Sequence, residues 1–282
     1  MTTYQELRQT GAEDVRSLVT MERRGDRVTL TLSEPERLNP LSAGLNVQLQ
    51  QRLQEIAWDP TIRSVVVTGE DPAFSAGGDL EMIRDGNRAI RDPSRPGDTT
   101  DPWRWIRRQF GGVVRIIAST DKLFVAAING PAAGVGLAFA LACDVVIASE
   151  RAVLVPAFGR LGLVPEVGTS WTLTRRLGYH GAMAYYLRGK EIDAHDALKL
   201  GLVEEVHDHE DLLAGADAWC ELASQMPAHA LEMGKTLLRA AADATWEEAL
   251  RLEEFAEANC FSTEALGTAA EGLLSRSGRD RA

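Results

Sequence analysis

Three observations predict an α/β fold. Short strand-like runs alternate with helix-period runs from Arg27 to Val206. Two of those runs, Ser64–Thr68 and Asp144–Ala148, are apolar without alternation, as strands buried on both faces require. Beyond residue 210 the strand signals stop and three amphipathic helical patterns follow. The 282 residues accordingly divide into an N-terminal extension over 1–20, a core over 21–210 and a helical section over 211–282.

Arg27–Leu32 alternates polar and apolar side chains, the mark of a half-buried strand. From Asn39 to Trp58 the residues Leu41, Leu45, Leu49, Leu53 and Ile56 recur at helical spacing, with Ser42 as the cap. Phe74–Asp79 is glycine-rich and leads towards a further helix. From Arg84 to Gly112 arginines and aspartates alternate, and Pro93, Pro96 and Pro102 break helical continuity. This stretch reads as a mobile excursion that regains regular structure around Trp103–Thr120. Phe124–Ile128 is a strand, Gly134–Ala142 a helix of small residues, and Leu202–Val206 a last strand. The closing helices are Asp211–Gln225, Ala228–Ala242 and Trp246–Phe261, followed by a charged tail.

There are 41 acidic and 30 basic side chains, a formal net charge of −11, which makes nucleic acid an unfavoured partner. Any phosphorylated ligand requires a local cluster of cations. Cys143, Cys220 and Cys260 have no metal or disulfide spacing, which points to a reducing compartment and no structural metal. His207-Asp208-His209-Glu210 reads as a solvated loop rather than a metal site. Met1–Glu6 lacks a basic stretch leading into an apolar one, and no apolar run approaches the roughly 18 residues of a spanning helix. A cytoplasmic location without membrane contact is expected.

Two turns could carry chemistry. In Phe74-Ser75-Ala76-Gly77-Gly78-Asp79-Leu80 adjacent glycines free backbone N–H groups to face a ligand, and Asp79 caps the next helix. A tight turn with a helix cap is the plainer reading. In Ile128-Asn129-Gly130-Pro131-Ala132-Ala133-Gly134-Val135-Gly136-Leu137 a strand again enters a small-residue turn and a helix. Close helix packing is the plainer reading there. Taken together, the two turns are the arrangement that polarises a carbonyl and stabilises an oxyanion.

With these motifs the chain resembles the crotonase (enoyl-CoA hydratase/isomerase) superfamily over roughly residues 24–275. Glu36-Arg37-Leu38-Asn39-Pro40-Leu41, Leu161-Gly162-Leu163-Val164-Pro165-Glu166 and Gly189–Val206 extend the match. The resemblance implies a spiral of ββα units with a C-terminal helical trimerisation section, giving a homotrimer or homohexamer. It implies an acyl-CoA thioester as substrate, coenzyme A being part of that substrate and no other cofactor being needed. The peptide N–H groups of Gly78 and Val135 would hold the thioester enolate. Arg37, Leu38, Ala76, Gly77, Asp79, Leu80 and Gly134 would line the substrate, with Arg23, Arg24, Lys122, Arg276 and Arg279 as further cations for its phosphates.

The chain departs from the hydratase pattern. Hydratases resembling it carry two glutamates where this chain has Ala138 and Phe158, and neither residue can activate water. One carboxylate remains, Glu166, at the position where isomerase subfamilies of the superfamily place their base. Its apolar neighbours Phe158, Val164 and Val167 would move its pKa towards neutrality. The plainer reading puts Glu166 in the first turn of a helix beginning near Pro165. Isomerisation leads on this reading. Hydration through Glu166, Glu81 or Asp85, and acyl-CoA binding without turnover, are the alternatives. The Arg84–Arg108 stretch, with Trp103 and Trp105, would be a substrate lid or a polar loop with packed aromatics.

Overall fold

The structure, a computed structural model, describes residues 3–92 and 100–279. The chain divides into two compact units, 1–221 and 222–282. In the first, α1 (Tyr4–Glu13) begins with a capping box between Thr3 and Glu6 and packs on α2 (Ala43–Trp58). The stretch read as an extension thus contributes a buried Tyr4 to the core.

The main sheet is built from β1 (Val19–Arg24) and β2 (Arg27–Leu32), and from strands that each open a ββα unit. After β2 come β3 (Pro40–Leu41) and α2, which Ser42 caps by accepting the Leu45 N–H. The next unit is β4 (Ser64–Gly69), β5 (Gly77–Gly78) and α3 (Leu80–Arg91). Helices α4 (Thr100–Trp105) and α5 (Gly111–Ser119) follow, joined by a π-helical turn over Ile106–Phe110. The third unit is β6 (Leu123–Ile128), β7 (Pro131–Ala133) and α6 (Val135–Ala142). The fourth is β8 (Val145–Ser149), β9 (Val153–Val155) and α7 (Thr169–Arg188), which is kinked at Gly178. β10 (Ile192–Asp193), α8 (Ala194–Lys199), β11 (Glu205–His207) and α9 (Leu212–Gln225) complete the run.

The main sheet has the order β1-β2-β4-β6-β8-β11, parallel except for the β1–β2 pair. Small sheets β3–β5 and β10–β9–β7 stand beside it. Period-2 alternation divides the strands: Val65, Val67, Phe124, Ala126 and Ile128 face the larger core, and Val66, Val125, Ala127 and Ile147 face Leu212, Ala216 and Cys220 of α9. This is the α/β spiral of ββα units expected from the sequence.

Residues 84–112 depart from expectation. Described portions on both sides of residues 93–99 are helical, so the excursion is largely α3, α4 and the turn into α5. Pro102 lies in the first turn of α4, where a missing N–H costs nothing. Pro93, Arg95, Pro96 and Asp98 lie outside the described residues. The second unit holds α10 (Ala228–Ala241), α11 (Trp246–Cys260) and α12 (Glu264–Arg279), the last where a charged tail was expected. No helix among the described residues is long and apolar enough to cross a membrane.

Candidate active site

The two glycine-rich turns leave the C-terminal ends of the adjacent strands β4 and β6 and are laced together by backbone bonds. Phe74 and Ser75 both donate N–H to the Pro131 carbonyl at 3.1 Å, and the Ala133 N–H donates to the Ser75 carbonyl at 2.9 Å. The Ser75 hydroxyl donates to the Asn39 carbonyl at 2.8 Å and accepts the Gly77 N–H at 3.1 Å. A Cβ on Gly77, at φ +86°, would stand 2.5 Å from the Ala133 carbonyl oxygen and 3.6 Å from the Val135 nitrogen. Only glycine lets the first turn approach the second this closely.

Val135 is the first residue of α6, so its N–H has no acceptor within the helix. Gly134 precedes it at φ +49° and donates its own N–H to the Val155 carbonyl at 3.1 Å. On the other turn, β5 pairs in parallel with β3, Pro40 opposite Gly77 and Leu41 opposite Gly78. Proline has no N–H to give, so the ladder bonds fall on Gly77 and Leu41 and leave the Gly78 N–H turned away from β3. Two peptide donors are therefore available where the turns meet.

Glu166 lies outside α7, which begins at Thr169, so the helix-first-turn reading does not hold. It sits in a turn in which Val167 (φ +57°) and Gly168 (φ +86°) are both left-handed. For a β-branched residue this conformation is strained by about 1–3 kcal/mol. The Glu166 carbonyl accepts the Thr169 N–H at 3.0 Å, and Val167 packs on the core. Burial pushes the Glu166 carboxyl up to about 7. Of its expected neighbours, Phe158 is buried and Val167 partly so, but Val164 is 69 % exposed and shields nothing. Phe158 reaches back to the oxyanion turn, its ring 3.9 Å from where a Cβ of Gly134 would stand.

The remaining predicted residues on the first turn and before it are tied to one another. Leu38, at φ +62°, presents its carbonyl to the Ala76 N–H at 2.7 Å, and Ala76 and Leu80 are exposed. One Asp79 oxygen caps α3 by accepting the Glu81 and Met82 N–H groups; the other takes Arg37 at 2.9 Å. Arg37 also meets Glu34 at 3.3 Å and Glu81 at 3.9 Å.

The enoyl-CoA hydratase/isomerase family model matches residues 26–275. The chain belongs to this family, the crotonase superfamily. The crotonase is 35 % identical over 226 residues to the 1,2-epoxyphenylacetyl-CoA isomerase of Escherichia coli K12, covering 80 % of this chain and 83 % of that one. It is 30 % identical to the "probable enoyl-CoA hydratase, mitochondrial" of Dictyostelium discoideum, covering 86 % and 83 %. A solved structure of a "putative enoyl-CoA hydratase" from Thermobifida fusca YX in complex with CoA superposes with a TM-score of 0.76 at 29 % identity, covering 90 % and 95 %. The relatives are enzymes, and the crotonase is one by descent.

At the two glutamate positions of hydratases this crotonase has Ala138, buried in α6, and Phe158. Several expected cations are engaged elsewhere. Arg23 binds Asp59 at 2.9 Å, Arg24 binds Glu22 at 2.8 Å, and Lys122 is buried beside Asp121 at 3.1 Å. The side chains of Arg276 and Arg279 lie outside the described residues. Trp105 is core: Tyr4, Trp105, Phe110 and Phe139 form an edge-to-face chain with ring spacings of 6.4, 6.1 and 6.2 Å. Trp103 is exposed under Arg107. Sequence reading missed Asn39, fully buried, which accepts the Glu34 N–H and donates to the Glu70 and Ala73 carbonyls. Its signal was an asparagine, tolerant of left-handed backbone, just before Pro40.

In the His207–Glu210 stretch Asp208 and Glu210 are exposed, as in a solvated loop, but the two histidines are not. His209 is 11 % exposed and lies 2.9 Å from Asp71, while His207 pairs with Glu205 at 2.8 Å.

Proposed function

We propose that this crotonase is an acyl-CoA isomerase. Glu166 removes a proton from the carbon beside the thioester carbonyl, and the electron pair moves onto the carbonyl oxygen. The N–H groups of Gly78 and Val135 stabilise that enolate oxygen, and Glu166 returns the proton two carbons along as the double bond shifts. Arg37, Leu38, Ala76, Gly77, Asp79, Leu80 and Gly134 frame the CoA thioester.

The observation that carries this reading is the Glu166 carboxyl, pushed up to about 7 by burial. A carboxyl titrating there serves at neutral pH both as base and, once protonated, as acid. No second carboxylate stands at Ala138 or Phe158. The proton transfer calls for no cofactor beyond the coenzyme A carried by the substrate.

Hydration of a 2-enoyl-CoA is the second reading, favoured by the relatives named hydratase. It would use Glu166, or Glu81 or Asp85 of α3. Glu81 is 71 % exposed and Asp85 is paired with Arg84 at 2.9 Å, so both are poor candidates for activating water. Assaying a 3-enoyl-CoA and a 2-enoyl-CoA with wild type and Glu166→Gln separates the two. Isomerase kcat should fall about 10²–10⁴-fold in the variant; hydration that survives the substitution removes Glu166 as the base.

The second unit is assigned to oligomerisation, as a homotrimer or homohexamer. Leu238, Trp246, Phe255 and Phe261 of that unit are each at least 70 % exposed and call for a covering surface. A cytoplasmic setting accords with Cys143, Cys220 and Cys260, which form no disulfide with one another. Solution mass measurement tests the assembly.

A further inference from the structure

We infer that His209 is a positioning residue for the oxyanion site, fixing through Asp71 and Asn129 the roots of the two turns that carry Gly78 and Val135. The inference rests on the oxyanion reading proposed above.

A chain of side-chain hydrogen bonds crosses the C-terminal edge of the sheet. The Gly69 N–H, at the end of β4, donates to Asn129 Oδ1 at 3.2 Å, and Asn129 lies just beyond β6. Asn129 Nδ2 donates to Asp71 Oδ1 at 2.9 Å. His209 Nε2 meets Asp71 Oδ2 at 2.9 Å, and its Nδ1 meets Ser149 Oγ at 3.1 Å. Ser149, the last residue of β8, accepts the Arg151 N–H at 3.1 Å. With the serine proton directed at Nδ1, the imidazole carries its own proton on Nε2 and donates it to Asp71.

The roots are in backbone contact as well as hydrogen-bonded. A Cβ on Gly130 would stand 2.2 Å from the Pro72 carbonyl oxygen, and one on Gly69 would stand 2.2 Å from the Ala73 carbonyl oxygen. A lateral shift of Asp71 is therefore passed directly into both turns, where Gly77 already lies against Val135. Of the charged groups nearby, Arg151 lies 3.8 Å from Glu210 and also helps to lower the Asp71 carboxyl, and His207 is held by Glu205.

The order serine, histidine, aspartate is that of a nucleophilic triad. Ser149 is fully buried, so no substrate reaches its hydroxyl. The network positions; it does not attack. Burial acts to raise the Asp71 carboxyl, and the bonds from Asn129 and His209 overcome this and hold it below the usual carboxylate range. The Asp71 carboxylate, 60 % exposed, is the group that Asn129 and His209 both bind.

The test compares binding of two ligands to the full chain by calorimetry. Acetoacetyl-CoA, a 1,3-dicarbonyl thioester, presents an enolate oxygen to the site; butyryl-CoA presents only a ground-state carbonyl. Wild type should prefer acetoacetyl-CoA. His209→Ala should lose about tenfold or more of that preference, with butyryl-CoA affinity changed less than about threefold. His209→Gln, which places an N–H where Nε2 stood, should recover most of the loss. Should His209→Ala not fold, His209→Asn, polar but too short to reach Asp71, takes its place with the same expectation. An unchanged preference, or an equal loss for both ligands, overturns the positioning role. A wild type that binds acyl-CoA without favouring the enolate overturns the oxyanion reading itself, and this inference with it.

Discussion

The turns that bear Gly78 and Val135 and the turn that bears Glu166 are built in opposite ways. The first two share reciprocal backbone bonds through Ser75, Pro131 and Ala133, and glycines at 77, 130 and 136 bring their main chains into contact. The Glu166 turn has Leu161, Leu163 and Val164 exposed, and two consecutive left-handed residues, Val167 and Gly168, follow Glu166 in it. Oxyanion donors must be fixed before charge develops, and backbone amides in a packed sheet edge achieve this. A base, the role proposed for Glu166, needs a tuned pKa, which burial in its turn supplies. In the proposed reading the two turns hold the thioester oxygen and Glu166 sets the reaction.

Val135→Pro attacks the shared half most cleanly. Proline is well tolerated at the first position of a helix, so α6 should persist while one donor is lost. We expect kcat to fall about 10²–10³-fold with little change in KM, measured by steady-state kinetics beside circular dichroism. Gly77→Ala leaves both donors but pushes a methyl group to 2.5 Å from the Ala133 carbonyl oxygen at a left-handed φ. A loss of about ten- to a hundredfold in kcat is expected from misplacement alone. A variant as active as wild type would show that the close approach of the turns is dispensable.

The Glu166 half should respond to pH. With its carboxyl pushed up to about 7, kcat/KM should rise about tenfold per pH unit below that value and level off above it. A profile flat from pH 5 to 8 would detach the base from Glu166. The smallest effect concerns stability. The folded carboxyl holds its proton up to about 7 against an ordinary value of 4.5, so the folded state binds more protons than the unfolded one between those values. Stability therefore falls as pH rises through that window. Glu166→Gln removes the dependence, and should stabilise the fold by on the order of 2–3 kcal/mol at pH 8 and by little at pH 4. Denaturant titration at the two pH values measures the difference.

The main strands, α2 with its Ser42 cap and both glycine-rich turns were legible in the sequence because each rests on local pattern: β-branched runs, helical spacing, paired glycines. The part of α3 beyond Arg84 and the start of α4 were hidden because Arg, Asp and Pro in series resemble a loop, whereas a first-turn proline such as Pro102 leaves a helix intact. The carboxylates around Arg37 were hidden for another reason, since Asp79 reaches it across the fold. His209 and Asp71 lie 138 residues apart and meet only because β4 and β8 flank β6. Val167 gave no signal at all, because left-handed backbone at a β-branched residue runs against its own preference.

In the proposed reaction one carboxylate, Glu166, moves a proton and adds no water. The direct test is product analysis after turnover of a 3-enoyl-CoA in isotope-labelled water, with wild type and with Glu166→Gln. The account requires a 2-enoyl-CoA free of solvent oxygen, formed by wild type and lost in the variant. A 3-hydroxyacyl-CoA carrying solvent oxygen, formed equally by both proteins, would contradict it.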